Sequence, residues 1–369
     1  MKMGIRLLAV LALMGFGNAF AQEIVLGQSV ALTGPAQELG KEMQLGAKTY
    51  FDQVNAGGGI RGKKIVLRTL DDGYEAARAE ANTKKFVEDG DVLALFGYVG
   101  TPTSAPSIPL ATKAKIPFVG AYTGAELLRS PFNRYVFNIR ASYFDETEAI
   151  VRQMTQGGVT KFAVFYQNDS YGQAGLAGVE RALAKRKLAV VAKATVERNS
   201  VDVSAALATM VAAKPEVIIM ISAYSSCAEF IKQAKAKQLA TQFVNVSFVG
   251  TRALAKALGP AADGVMISQV MLPPTANKFP LIVEYQRALK AAGVNEFSYT
   301  SLEGYVAAKV MVEALRKGGD ASRDALVRSL ESLRNVDLGG FTVSFSPDNH
   351  NASTFVEMTV LNKNGEVRY

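Results

Sequence analysis

At 369 residues, 49% of them apolar, the chain is too long for one compact core and suggests two domains. Its formal charge of +8 is spread out with no dense Lys/Arg block, which argues against nucleic acid as a partner. A single cysteine, Cys227, and a single histidine, His350, exclude an internal disulfide framework and the usual zinc sites.

The chain opens on a leader. Lys2 and Arg6 flank the start of a largely apolar run, Ile5 to Phe20, that is too short and Gly-rich for a membrane span. Ala19-Phe20-Ala21 fits a small-x-small cleavage pattern, so residues 1–21 read as a signal peptide cleaved after Ala21. An uncleaved anchor helix is the alternative. No cysteine lies near the cleavage point, so no lipid attachment is implied, and no later run resembles a transmembrane helix. The expectation is a soluble, exported protein.

Beyond the leader, short apolar runs alternate with amphipathic ones. In the first half strands are expected at Ile24–Val30, Lys64–Leu70, Val92–Phe96 and Pro117–Val119, with helices over Gln37–Val54, Glu75–Glu88 and Pro102–Lys113. In the second half strands are expected at Lys161–Phe165, Ala189–Thr195, Val217–Ile221, Phe243–Ser247 and Val265–Val270. Helices are expected over Gln173–Lys185, Val203–Ala213 and Ser226–Gln238. Such alternation indicates an α/β protein with parallel sheets built from right-handed βαβ units. The two series divide near Arg134–Ala141. Three helices follow without strands, about Phe279–Ala292, Tyr299–Arg316 and Ser322–Leu333, and should cover an existing sheet. Phe341–Phe345 and Thr354–Leu361 alternate like antiparallel strands. With no low-complexity linker, several short crossovers should join the lobes as a hinge. The expected division is 22–140 plus 272–338 for one lobe and 141–271 plus 339–369 for the other.

The strands ending at Val30 and Phe96 run into small and hydroxylated residues just before a helix: Ala31-Leu32-Thr33-Gly34-Pro35 and Gly97-Tyr98-Val99-Gly100-Thr101. In an open α/β sheet, ligands bind outside the carboxyl ends of the strands. Hydroxyls and helix-end N–H groups are therefore placed where a small anion or carboxylate could dock. Catalytic chemistry is sparse. No G-x-S-x-G elbow and no Walker-type loop occurs. Gly172, Gly175 and Gly178 lie three apart in a helix-like stretch and read as close-packing positions. His350, in the polar turn Pro347–Asn351, reads as an exposed turn residue. Cys227 reads as a buried, inert thiol. No cofactor is expected, and no enzyme.

The chain resembles the type I periplasmic solute-binding proteins of ABC transporters, closest to the leucine/isoleucine/valine-binding group. The motifs are Leu32-Thr33-Gly34-Pro35, Asn55 through Gly62 with Leu70-Asp71-Asp72, Gly97-Tyr98-Val99-Gly100-Thr101, Phe165 through Gly172, and Ser222-Ala223-Tyr224. The resemblance implies two Rossmann-like lobes that close on a ligand, periplasmic residence, and a membrane permease as partner, with the protein itself a monomer. It implies that Thr101 helps hold a ligand carboxylate, although Thr101 also fits a helix cap. Ala121-Tyr122-Thr123-Gly124 matches a loop of further backbone and hydroxyl contacts; Tyr122 and Thr123 also fit ordinary turn residues. Tyr171 and Tyr224 match aromatics that close over the ligand from the second lobe, or else pack at the lobe interface.

One departure stands out. Amino-acid binders of this group place an acid after the strand equivalent to Phe243–Val246, against the ligand ammonium. Ser247 stands there, with Phe248 beside it. A hydroxyl cannot replace a buried carboxylate as counter-ion. Either another acid serves, Glu303 or Glu38, or the ligand has no ammonium. Leu39 stands where an aromatic is usual. The expected ligand is thus a small carboxylate, an amino acid first and an aromatic acid second. A periplasmic sensor reporting to a membrane receptor, or an exported α/β enzyme, are the alternatives.

Overall fold

The computed structural model describes residues 23–319 and 322–369; the leader expected over residues 1–21 lies outside them. The first series runs β1 (Ile24–Val30), α1 (Gln37–Ala56), β2 (Ile65–Asp71), α2 (Ala76–Asp89), β3 (Val92–Phe96), α3 (Thr101–Lys113), β4 (Phe118–Val119) and β5 (Val136–Phe137). These strands form one five-stranded parallel sheet in the order β2-β1-β3-β4-β5. The second series runs α4 (Tyr143–Gln156), β6 (Phe162–Gln167), α5 (Ser170–Ala184), β7 (Val190–Val196), α6 (Ser204–Ala213), β8 (Val217–Ile221), α7 (Tyr224–Ala236), β9 (Gln242–Asn245), α8 (Thr251–Leu258) and β10 (Met266–Gln269). Then come α9 (Pro280–Ala291), α10 (Tyr299–Lys317), α11 (Arg323–Glu331), β11 (Val336–Asp337), β12 (Thr342–Val343), β13 (Glu357–Leu361) and β14 (Val367–Arg368). The second sheet has the order β14-β13-β10-β9-β8-β6-β7, parallel from β6 to β10 and antiparallel in the tail, as its alternation predicts.

Buried hydrophobic strands drive this arrangement. β3 and β8 are buried at every position, as expected of sheet interiors covered by helices on both faces. α10 lies directly along α1, as a helix covering the first sheet should. The approach is so close that a side chain at Gly46 would overlap the Ser301 carbonyl, and one at Gly304 the Met43 carbonyl. The glycines of α5 also act in packing: Gly175 faces Ile221, and Gly178 faces Thr147 and Phe144 of α4.

The chain passes between the sheets three times, at 138–142, 270–279 and 344–356. The first and third passages pair: Asn138 N–H donates to the His350 carbonyl at 2.8 Å, and Ala352 N–H to the Asn138 carbonyl at 2.8 Å.

Four local readings change. α4 and α8 were not expected as helices. α4 carries a full capping box, with the Asp145 N–H donating to Ser142 Oγ and the Ser142 N–H donating to Asp145 Oδ2. Tyr171, ahead of the helix expected from Gln173, lies in the first turn of α5. Ser247 opens a single 3₁₀ turn, Ser247–Val249, instead of ending a strand. His350 follows the turn at Pro347–Asp348 and, instead of standing open to solvent, is 3% exposed. Its ring stacks on Phe137 at 3.8 Å, and burial pushes its pKa below the usual imidazole value.

Candidate functional site

The site lies between the lobes, at the carboxyl ends of β3 and β4 on one side and of β6, β8 and β9 on the other. β3 ends in a bend that only glycine tolerates. Gly100 has φ 103°, and a side chain there would strike the Tyr74 ring. That bend starts α3, and Pro102 fits its first turn because a helix leaves those N–H groups unpaired. The N-terminal end of α3, carrying positive partial charge, therefore faces the cleft.

Thr101 does not cap α3. Its hydroxyl meets the Thr123 hydroxyl at 2.7 Å, and Thr123 Oγ1 in turn donates to the Tyr143 hydroxyl at 3.3 Å. Each hydroxyl has one proton to give. A chain that runs Thr101 to Thr123 to Tyr143 leaves the Tyr143 proton for another acceptor. Gly124 holds Tyr143 in place, its carbonyl accepting the Tyr143 N–H at 2.7 Å. Tyr171 packs beside Tyr143, ring centroids 5.4 Å apart, fully buried, and its hydroxyl has no partner. Burial raises the Tyr171 pKa well above the ordinary phenol value, so it remains a proton donor. Two phenols and an open helix end thus converge with donors to spare.

Tyr122 belongs to a different cluster. Its segment bridges Val99 in extended form, so Tyr122 and Thr123 point to opposite sides. The Tyr122 hydroxyl donates to the Ser247 carbonyl at 3.2 Å and meets Thr300 Oγ1 at 3.1 Å. Above its ring, at 4.7 Å, lies the guanidinium of Arg140, which is buried in the first crossover. Arg140 bonds Ser247 Oγ, sits 3.4 Å from Glu146 and 3.6 Å from Glu303, and leaves Nε and Nη1 without hydrogen bonds. Burial disfavours its charge, but Glu303 and Glu146 more than offset that and hold its pKa above the usual value. Glu303 is buried too, and desolvation pushes its pKa up to about 7 against the pull of Arg140.

Ser247 has no free polar group to offer a ligand: its N–H and hydroxyl both donate to Glu146, at 2.8 and 3.0 Å. Phe248 fills the cleft beside it, with ring centroids 4.5 Å from Tyr171, 5.3 Å from Tyr122 and 6.0 Å from Tyr74. Tyr224 stands at the rim, half-buried, its hydroxyl against the Glu38 backbone.

The lobes are closed on one another. Arg198 pairs with Glu75 at 3.0 Å, Asn199 Nδ2 donates to the Gly73 carbonyl at 3.1 Å, and Arg252 pairs with Glu42. Cys227 is fully buried, and desolvation raises its thiol pKa, which makes it inert.

Of the residues expected at a site, Thr101, Thr123, Gly124 and Tyr171 come together around one spot. Tyr122, Ser247 and Glu303 join the Arg140 cluster, and Tyr224 lies outside both. The sequence reading missed Tyr74, Tyr143, Arg140 and Glu146. A signal was present for three of them. Arg140 ends an apolar run, and the Ser142-x-x-Asp145 box announces the helix that carries Tyr143 and Glu146.

Comparison with known proteins agrees with this architecture. The sequence profile of the periplasmic binding protein family matches residues 23–366. A Leu/Ile/Val-binding protein homolog 7 from Brucella suis is 26% identical, over 93% of this chain and 90% of its own length. A possible leucine/isoleucine/valine-binding protein from Rhodopirellula baltica superposes with a TM-score of 0.91 at 35% identity, covering 94% of this chain and 96% of its own. A substrate-binding periplasmic protein from Ralstonia solanacearum gives a TM-score of 0.88 at 32% identity, covering 94% and 99%. No described helix is long and apolar enough to cross a membrane. With two sheets joined by three crossovers, a closed cleft between them, and a profile match over nearly its full length, the chain belongs to the periplasmic binding protein family.

Proposed function

We propose that this protein is the periplasmic solute receptor of an ABC importer. It captures a small carboxylate between its lobes and presents it, as a monomer released from its leader after Ala21, to a membrane permease. The observation that carries this reading is the hydroxyl chain Thr101–Thr123–Tyr143 at the open end of α3, facing the buried and unpartnered Tyr171 hydroxyl. That chain leaves the Tyr143 proton free, and with the Tyr171 hydroxyl and the end of α3 it makes three kinds of donor at one spot, which is what a carboxylate requires. The ligand class in the names of its relatives, branched-chain amino acids, is the first to test, and aromatic acids are the second.

A thermal-shift screen of both classes tests the proposal. A true ligand should add RT ln(1 + [L]/Kd) of stability, about 2.7 kcal/mol at a hundred-fold excess over Kd. It should also shrink the protein in small-angle scattering, because two lobes on short crossovers close around it. No shift with any carboxylate would end this reading.

Thr101→Val keeps the side-chain shape and removes the hydroxyl. It removes the donor that holds the Thr123 proton on Tyr143, so it should loosen the Tyr143 hydrogen bond to the ligand and weaken binding by about 1.5–3 kcal/mol, the range for a hydrogen bond to a charged group. Calorimetric titration of this variant giving wild-type affinity would show that the Thr101 hydroxyl only braces Thr123.

A further inference from the structure

We propose that the ligand is a carboxylate that carries no ammonium group and has a planar aromatic body lying against Phe248 and Tyr171. The inference rests on the carboxylate-receptor reading above and narrows it.

The first argument concerns counter-ions. In an α-amino acid the ammonium and carboxylate share one carbon. If the carboxylate lies at Thr101, Thr123, Tyr143 and Tyr171, the ammonium's partner must border the same spot. A buried ammonium without one is strongly disfavoured. Four acids come near: Glu146 and Asp169 are filled by protein donors, Asp72 is held by Ser29 and Tyr74, and Glu303 lies across the loop. Glu146, one turn along α4 from Tyr143, accepts from Ser247 N at 2.8 Å, Ser268 Oγ at 2.6 Å and Ser247 Oγ at 3.0 Å, with Arg140 Nη2 at 3.4 Å. A carboxylate offers about four acceptor positions, so none of these remains, and Arg140 already balances its charge. Asp169 caps α5, accepting from Tyr171 N at 2.9 Å and Gln167 Nε2 at 2.6 Å, and pairs with Arg198 at 3.3 Å. Asp72 accepts from Ser29 Oγ and Tyr74 N, both at 2.8 Å. Glu303 lies with Arg140, Thr300 and Ser247 on the Tyr122 side of the loop, while the hydroxyl chain is on the Thr123 side.

The second argument concerns what does border the spot. Tyr74, Tyr143, Tyr171 and Phe248 are all fully buried there. Phe248 packs at 4.5 Å from Tyr171 and 6.0 Å from Tyr74, tilted at 50° and 33°. An aromatic solute extends such a cluster with the offset and edge contacts that rings prefer. Its carboxylate would accept from the Tyr171 hydroxyl, a buried donor that the protein leaves unsatisfied. Rings of this kind also hold quaternary ammonium groups. Here the neighbouring ring, Tyr122, 5.3 Å from Phe248, already carries a cation, the Arg140 guanidinium 4.7 Å from its centre, and that charge opposes a second one nearby.

The test uses the full mature protein, freed of bound solute, and matched pairs of probes in calorimetric titration: phenylalanine against phenylpropanoate, leucine against methylpentanoate, with benzoate and glycine betaine alongside. The aromatic acids should bind at least about ten-fold more tightly than phenylalanine, leucine or betaine. Phe248→Leu keeps apolar volume and removes the ring. It should reduce the preference for phenylpropanoate over methylpentanoate, a ratio that general destabilisation does not move. If phenylalanine or leucine binds at least as tightly as its amine-free partner, or betaine binds best, the inference is overturned while the receptor reading stands. An unchanged ratio in Phe248→Leu, or methylpentanoate binding best, overturns the aromatic part. If no probe binds, both the inference and the reading beneath it fail.

Discussion

Replacing Arg140 with alanine should cost about 3–5 kcal/mol of unfolding free energy, the usual penalty for leaving buried charge without its partner. The guanidinium is fully buried between Glu146 and Glu303, at 3.4 and 3.6 Å, and both carboxylates are buried as well. Without Arg140 the buried Glu146 carboxylate would lose its counter-ion, and Glu303 beside it would be driven to hold its proton. The loss should appear as a lower urea midpoint with an unchanged m-value. Adding Glu146→Gln to Arg140→Ala should recover part of the loss, since it removes the stranded charge. The double-mutant cycle would then show a coupling of at least about 1 kcal/mol. A loss under about 1 kcal/mol in the single variant would mean that the cluster is hydrated or rearranges freely. The consequence reaches function, because the three residues lie on different pieces: Arg140 on a crossover, Glu303 on α10, Glu146 on α4. Together with Ser247 and Tyr122 they tie the two lobes and the hinge into one unit.

Relative to Glu303→Gln, the wild-type protein should lose a few kcal/mol of stability as pH rises from about 4.5 to about 7, the ordinary and the folded-state pKa of this carboxyl. Desolvation is the main cause of the shift. Arg140 opposes it and Glu146 reinforces it. In that window the unfolded chain has released the proton and the folded protein keeps it. The folded state then binds more protons, and stability falls with rising pH. Below about pH 4.5 both states hold the proton, and above about pH 7 neither does, so the difference between the two proteins should level off at both ends. Urea midpoints of the two proteins at about pH 4.5, 6 and 8 measure it. A difference that stays constant across those values would show that Glu303 is ionised throughout, held by Arg140 more firmly than its separation of 3.6 Å indicates.

Much of the molecule is legible in the residues themselves. Apolar runs such as Val92–Phe96 and Val217–Ile221 are strands because only a doubly covered sheet buries five consecutive hydrophobic residues, and both are strands at those bounds. The amphipathic stretches between them must then be crossover helices. The start of α3 could be read from Gly100-Thr101-Pro102, since glycine and proline there restrict the backbone locally. Thr101, Thr123, Gly124 and Tyr171 follow from that start and from the family resemblance.

The tertiary structure alone decided the rest, because it depends on pairings between residues far apart in sequence. Nothing near Arg140 announces that Glu303 will neutralise it, or that this pairing allows a charged cluster inside the hinge. Nothing near Ser247 shows that Glu146 will take up both its donors. His350 reads as a surface residue from its polar neighbours Asp348, Asn349 and Asn351. It is buried because Phe137 of a distant strand offers it a ring face. Local periodicity and turn chemistry act over a few residues and leave their mark in the sequence. Charge compensation and ring packing act between residues that only the folded chain brings together.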